Sequence, residues 1–287
     1  VILERLSVLT DEVSDRFAEA LDWAVRKGFK WVEVRRVDGK NVSTLTDAEV
    51  DCAKAEIDRR ELRVSALASP LFKCALDPSR PVRGGNLFGS PEEPLEAHFA
   101  KLPRAIRIAK KLGTDKIRVF SFWREKEPRK YLPEIVAHLK RAAAVAEKEG
   151  VLLLVENETS CNGGYAEEVA NIVRGVGSPA MRVLWDPGNE NYGGRVAYPE
   201  GYILVKGLFE HVHLKDCVMD AEGKPSCVPI GKGRTPLKGQ LKAFERDGYP
   251  GLYTLETRYR PAGGTAMQGT EESLEGLKNL LAEAGLK

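Results

Sequence analysis

Short, apolar, β-rich runs alternate with longer helical stretches along the whole of this 287-residue chain, and the alternation recurs about eight times. That rhythm restricts the fold more than any other feature. Runs at 6–10, 31–34, 63–68 and 116–121 read as the strands of the first half, with helices expected over 15–27, 47–60 and 95–112. In the first helix Phe17, Ala20, Leu21, Ala24 and Val25 recur at helical spacing and Gly28 stops it; Gly113 ends the third. The second half repeats the plan, with strands at 151–155, 181–185, 210–214 and 252–255 and helices at 133–149, 165–176, 237–246 and 271–284. Strands that are apolar throughout are buried on both faces, so they belong to a parallel sheet covered by helices, and about eight such units favour a closed barrel over an open sheet. A (β/α)₈ barrel takes about 250 residues. The expectation is therefore an α/β chain forming a single TIM barrel, with residues 1–287 as one domain.

No GxGxxG or GxxxxGK[ST] follows the first strand, which argues against a nucleotide-binding sheet. The 44 basic and 42 acidic residues leave a net charge of +2, with no general attraction toward nucleic acid or an anionic membrane. No apolar run approaches the roughly 18 residues of a membrane span. The first residues, Val1 to Leu9, lack the basic-then-apolar pattern of a signal peptide, and a cytoplasmic protein is expected. Cys52, Cys74, Cys161, Cys217 and Cys227 show no CxxC pairing, and their odd number suits reduced thiols better than a disulfide framework.

Two long connections, 70–94 and 217–236, follow strands. In a barrel such loops lie on the carboxyl-terminal face, where active sites are built, so both are expected to shape a pocket. On that same face four apolar strands abruptly deliver polar residues. VLLLVENE (151–158) ends in Glu156, Asn157 and Glu158; RVLWDPGN (182–189) brings Asp186 and Asn189; HVHLKD (211–216) and LYTLETR (252–258) do the same with histidines, Lys215, Glu256 and Arg258. One carboxylate at a strand end is ordinarily a helix cap or half of an ion pair. Three carboxylates and a histidine on one rim repel one another unless a cation neutralises them, and mixed oxygen and nitrogen donors suit Mn²⁺, Co²⁺, Mg²⁺ or Zn²⁺. Side chains alternate along a strand, so Glu156 and Glu158 share a face, as do His211, His213 and Lys215. Spacing alone does not choose among them; His211 is read as a core or capping histidine.

The ordered set VLLLVENE, VLWDPGN, HVHLKD and YTLETR resembles the xylose isomerase-like superfamily of sugar isomerases and epimerases, which also includes inosose dehydratases and apurinic endonucleases. The turn IGKG (230–233) and the later GYPG (248–251) are similar to the run between the seventh and eighth strands of these proteins. The resemblance implies one divalent metal ion on Glu156, Asp186, His213 and Glu256, with Glu156 and Glu256 also acting as the acid and base pair. Lys215, Arg258, Asn189 and Glu158 are expected to bind a small sugar or cyclitol, Lys215 and Arg258 through their positive charge, and the resemblance implies a homo-oligomer. The implied reaction is isomerisation or epimerisation by proton transfer beside a carbonyl, through an enediolate. Departures narrow this. The ketohexose epimerases typically carry a histidine where this chain has Asn189 and an arginine where it has Met219, and HLKD looks more like the inosose dehydratase branch, so a lyase is the alternative. Four histidines are too few for a three-zinc endonuclease, and no histidine precedes His98 to serve an authentic xylose isomerase. A barrel that binds a sugar or a partner without chemistry is a further alternative, against which the two glutamates count.

Overall fold

In the computed structural model, which describes residues 2–286, eight parallel strands close into a barrel. They are β1 (Leu6–Leu9), β2 (Trp31–Val34), β3 (Arg63–Leu67), β4 (Lys116–Val119), β5 (Leu152–Glu156), β6 (Met181–Trp185), β7 (Phe209–Leu214) and β8 (Leu252–Leu255). Each pairs with the strands before and after it in the chain, and β1 closes the ring against β8, with Leu6 beside Tyr253 and Val8 beside Leu255. The single TIM barrel expected from the alternation is the fold.

Helices α1 (Phe17–Arg26), α2 (Asp47–Asp58), α3 (Leu95–Leu112), α4 (Leu132–Glu149) and α5 (Ala166–Val176) make the first five crossovers. Glycines at 113 and 150, at φ +87° and +65°, end α3 and α4 in the left-handed conformation that a side chain resists. The sixth crossover is built of short pieces, α6 (Pro187–Tyr192) and α7 (Tyr202–Val205), which no periodicity announced. Helix α8 (Leu237–Arg246) precedes β8, and α9 (Ala266–Ala284) follows it. The last helix begins five residues ahead of expectation because Thr265 and Gln268 form a reciprocal cap, each side chain accepting the other's backbone N–H.

Alternation along the strands sorts residues into two environments. Val8, Val32, Val64, Leu153, Val183 and Val212 face outward and join helix residues such as Leu21, Ala105, Val169 and Phe244 in one apolar core. The inward faces carry Ser7, Glu33, Ser65, Arg118, His211 and Thr254, all buried. A polar interior of this kind needs internal partners for each group. Ser7 and Ser65 share a 2.8 Å hydrogen bond, and His211 Nε2 lies 2.9 Å from both Glu33 and Thr254. His211 is thus buried and hydrogen-bonded inside the barrel, where with Glu33 and His213 it forms a second group of donor atoms within 4.8 Å of one another.

The connection 70–94 has no regular structure but is pinned down: Phe72 N donates to His98 Nδ1 at 3.0 Å, and Leu71, Phe72 and Phe88 are buried. The connection after β7 contains an antiparallel hairpin, Asp216–Met219 against Pro225–Val228, where only a loop was expected. All five cysteines are free. Among the described residues, no helix is long and apolar enough to cross a membrane.

Candidate metal centre and pocket

Glu156 ends β5, Asp186 follows β6, His213 lies near the end of β7 and Glu256 follows β8. All four are buried, and each offers a donor atom within 4.8 Å of the others. They meet because each strand spends its last inward-facing position on a polar side chain. His213 Nδ1 is 3.3 Å from Glu256 Oε2 and 3.6 Å from Glu156 Oε1. Its other nitrogen, Nε2, lies 3.0 Å from Glu33 Oε1 and 3.1 Å from Oε2. A carboxylate on Nε2 fixes the proton there and leaves the Nδ1 lone pair facing the three carboxylates, the arrangement by which proteins orient a metal-binding histidine.

Asp186 divides its oxygens between two tasks. Oδ1 caps α6 by accepting from Asn189 N at 2.8 Å. Oδ2 has no aligned hydrogen-bond donor, although Lys215 Nζ stands 2.6 Å away. Glu156 Oε2 is likewise without a bonded donor, its nearest cation being Arg118 Nη1 at 3.3 Å. Orphaned carboxylate oxygens in a fully buried cluster are costly, and both belong to the proposed ligand set. Burial pushes Asp186 up to about 6 against the pull of Lys215, and His213 is raised well above its ordinary value, burial being outweighed by Glu33, Glu156 and Glu256. Glu156 and Glu256 go the other way: burial is outweighed by Arg118 for the first and by Lys215, His213 and Arg35 for the second. Both rises mark a site that is short of positive charge. A divalent cation would supply that charge, and the donor set fits one.

The surrounding cations were only partly visible in the sequence. Lys215 was expected, and its Nζ is 2.8 Å from Glu256 Oε2 as well as close to Asp186. Arg35, recognised earlier by no motif, pairs with Glu256 at 2.9 Å, Glu12 at 2.7 Å and Asp11 at 2.9 Å. Arg118 and Glu33 lie inside strands, where a charge among apolar neighbours gives no sign of partners far along the chain.

Outside the cluster opens a cavity of about 280 Å³ whose lining includes Lys73, Glu158, Asn189, Lys215, Cys227 and Arg258. The four residues expected to touch a substrate, Lys215, Arg258, Asn189 and Glu158, therefore line one space. Asn189 Nδ2 donates to Glu156 Oε1 at 3.2 Å and to Asn157 O at 2.8 Å. Glu158 stands apart from the metal set: Ser160 Oγ donates to it at 3.2 Å, Lys73 Nζ lies 3.4 Å away, and Lys73, Arg258 and Lys215 together outweigh burial and hold its carboxyl at about 2.

Fold and site together define a (β/α)₈ barrel with a buried carboxylate and histidine cluster suited to a cation at the carboxyl-terminal mouth. Residues 21–280 match the xylose isomerase-like TIM barrel family, and the chain belongs to that family. No curated protein matches it in sequence. Among solved structures, the IolI protein with a bound zinc atom superposes at a TM-score of 0.77, with 17% identity over 98% of this chain and 99% of that one. The probable 3-DHS dehydratase AsbF of petrobactin synthesis from Bacillus anthracis gives 0.74, 15% identity, and 96% and 99% coverage. A D-tagatose 3-epimerase-like protein gives 0.73, 16% identity and 98% coverage of each chain. At these identities the likeness is one of fold.

Proposed function

We propose that this protein is a divalent-metal-dependent enzyme that moves a proton beside a carbonyl of a small sugar or cyclitol, as an isomerase or epimerase. The observation that carries the reading is the converging set Glu156, Asp186, His213 and Glu256, with His213 Nδ1 turned to the carboxylates while Glu33 holds Nε2. These four residues would hold one Mn²⁺, Co²⁺, Mg²⁺ or Zn²⁺ ion. When bound, such an ion acidifies the C–H of a substrate that offers it a carbonyl and a neighbouring hydroxyl.

The chain's own groups do the rest. One glutamate, Glu156 or Glu256, takes the proton from carbon as the C–H electron pair moves toward the carbonyl oxygen, giving an enediolate. The other returns a proton to the opposite face, or to the neighbouring carbon, which separates epimerisation from isomerisation. Lys215, buried between Asp186 and Glu256, is placed to steady the negative charge on the enediolate oxygen. Asn189 holds Glu156 in position, and Glu158 and Arg258 on the cavity wall bind the substrate.

Lys215 also supports a second reading. An ammonium this close to the proton-abstracting carboxylate can protonate a departing hydroxyl, so that proton removal leads to dehydration.

The test begins with metal content of the chain purified without chelator, compared with a Glu156→Gln, Glu256→Gln double variant. Solvent deuterium uptake is then followed across ketoses and inososes. About one ion per wild-type chain, loss of that ion in the variant, and deuterium beside a carbonyl support the isomerase reading. An unsaturated ketone absorbing in the ultraviolet selects the lyase. Failure to take up any divalent ion sinks both and favours a barrel that only binds.

A further inference from the structure

Two of the free cysteines, Cys217 and Cys227, stand directly opposite each other in the antiparallel hairpin that follows β7. Opposed residues in such a ladder alternate between pairs that exchange backbone hydrogen bonds and pairs that do not, and in the second kind the Cα atoms come to about 4.5 Å and the side chains lie closer. The cysteines are a pair of the second kind. At the tip Asp220 N donates to Lys224 O at 3.1 Å, and counting down from that bonded pair through Met219 with Pro225 and Val218 with Ser226 leaves Cys217 and Cys227 unbonded. The backbone of Cys217 is engaged elsewhere, its N–H donating to Asp216 Oδ1 at 2.9 Å and its carbonyl accepting from Arg234 N at 2.8 Å. Opposed side chains project from one face of the hairpin, and this spacing is one that a disulfide bridges without backbone movement.

The two thiols differ in access. Cys217 is buried, its Sγ accepting from Asn191 Nδ2 at 3.2 Å, whereas Cys227 is half-buried and lines the cavity, where a small reagent reaches it. The two strands of the hairpin are also held unequally. Asp216 ties the first to the turn at 231–235, while Pro225–Val228 is partly or fully exposed and pairs with the first strand alone.

We propose that Cys217 and Cys227 form a reversible dithiol–disulfide pair that clips the outer strand of this flap beside the cavity, with a low-molecular-weight disulfide as oxidant. Cys227, as thiolate, attacks one sulfur of the reagent and expels its other half; Cys217 then attacks the Cys227 sulfur of the mixed disulfide and expels the second half. One S–S bond forms in the protein as one breaks in the reagent, two electrons pass to the reagent, and the two cysteine protons end on its two thiols. Burial lifts both thiols above their ordinary range, Cys227 to about 11 against the pull of Lys215 and Arg258, so the pair is selected by position rather than by reactivity. None of this requires the metal, since neither cysteine belongs to the four-residue donor set.

The reduced full chain is incubated with oxidised glutathione, alkylated and digested for mass spectrometry. The peptide that holds both cysteines is expected to weigh two hydrogens less than its reduced form and to resist alkylation until dithiothreitol is added. Cys217→Ser should leave Cys227 carrying a glutathione adduct and no bridge, and Cys227→Ala carries the comparison if that variant does not fold, with no bridge in it either. Amide hydrogen exchange over 216–228 should slow in the bridged chain. A wild type that stops at the adduct on Cys227, that takes up no oxidant, or that bridges other cysteines instead overturns the pairing. A bridge that leaves exchange unchanged overturns the clip.

Discussion

Glu33 touches His211 and His213 at once from inside the barrel, at 2.9 and 3.0 Å, so one carboxylate sets the protonation of two imidazoles. Burial is outweighed by His213 and His211, and Glu33 stays well below the usual carboxylate range. Replacing it by glutamine removes the charge and puts an amide N–H in competition with the imidazole proton. Glu33→Gln is therefore expected to weaken metal binding by about 10- to 100-fold with the fold intact, measured by competition with a chromogenic chelator; unchanged affinity would mean that the His213 orientation does not depend on Glu33. In the sequence Glu33 is one carboxylate within WVEV, and its partner His211 lies 178 residues further on, which is why pattern reading could not place it. The polar residues closing the apolar runs marked the rim, but Glu156 and His213 were chosen over Glu158 and His211 only through the family resemblance, because alternation puts each pair on one face. Glu190 offers a residue-scale test away from the cluster. Burial pushes its carboxyl up to about 7 even though Ala166 N donates to it. The folded state then holds a proton that the unfolded state releases above about 4.5, so this group's stabilising contribution is full below that pH and is lost as pH rises through 7. Glu190→Gln keeps the acceptor for Ala166 without the charge. Denaturant unfolding should show it more stable than wild type by less than about 1 kcal/mol at pH 5 and by about 3 kcal/mol at pH 8; a gap of the same size at both pH values would exclude this titration as the cause.

At the scale of elements, the hairpin after β7 is organised by Asp216 rather than by its own strands. The Asp216 carboxylate accepts four backbone N–H groups, from Cys217, Gly231 and Gly233 at 2.9 Å each and from Thr235 at 3.0 Å. A Cβ at Gly233 would stand 2.1 Å from Asp216 Oδ1, so only glycine lets the turn approach this closely. Within HLKD the two charges thus have separate duties: the lysine faces the cavity and the aspartate anchors the loop that borders it. Asp216→Ala strands donors that a charged acceptor had satisfied and is expected to cost about 3 kcal/mol, read from denaturant midpoints; a loss below about 0.5 kcal/mol, the range of an ordinary surface change, would remove the anchoring role. The barrel strands and α3 were readable because their apolar period and glycine stops agree. Residues 187–192, PGNENY, gave no helical signal because they lack an apolar stripe; α6 forms since Asp186 caps it and Pro187 suits a first turn. The loop hairpin was hidden for a related reason: its order comes from Asp216, not from alternation within 216–228.

Across the whole molecule, the closed barrel concentrates charge that an open sheet would leave to solvent. Glu33, Glu156, Asp186 and Glu256 are buried together with Arg35, Arg118 and Lys215, and a buried ionic set is favourable only when every member is compensated. The orphaned oxygens of Glu156 and Asp186 mark where compensation is incomplete. A bound divalent ion would complete it, and because the four donors come from four different strands, unfolding would disperse the site and release the ion. Stability is then linked to metal concentration: with free metal about 1,000-fold above its dissociation constant, the folded state gains about 4 kcal/mol, a rise of roughly 8 °C in melting temperature for a chain of this size. Thermal melts of wild type in chelator and in Mn²⁺ should differ by about that amount. The Glu156→Gln, Glu256→Gln variant should melt at one temperature in both, and below chelator-treated wild type, since Arg118, Arg35 and Lys215 lose the buried carboxylates that neutralise them. Equal melting of wild type with and without metal, alongside a destabilised double variant, would mean that the carboxylates are satisfied by Lys215, Arg35 and Arg118 alone, and that the cluster holds the barrel mouth together as an ion-pair network with no place for a cation.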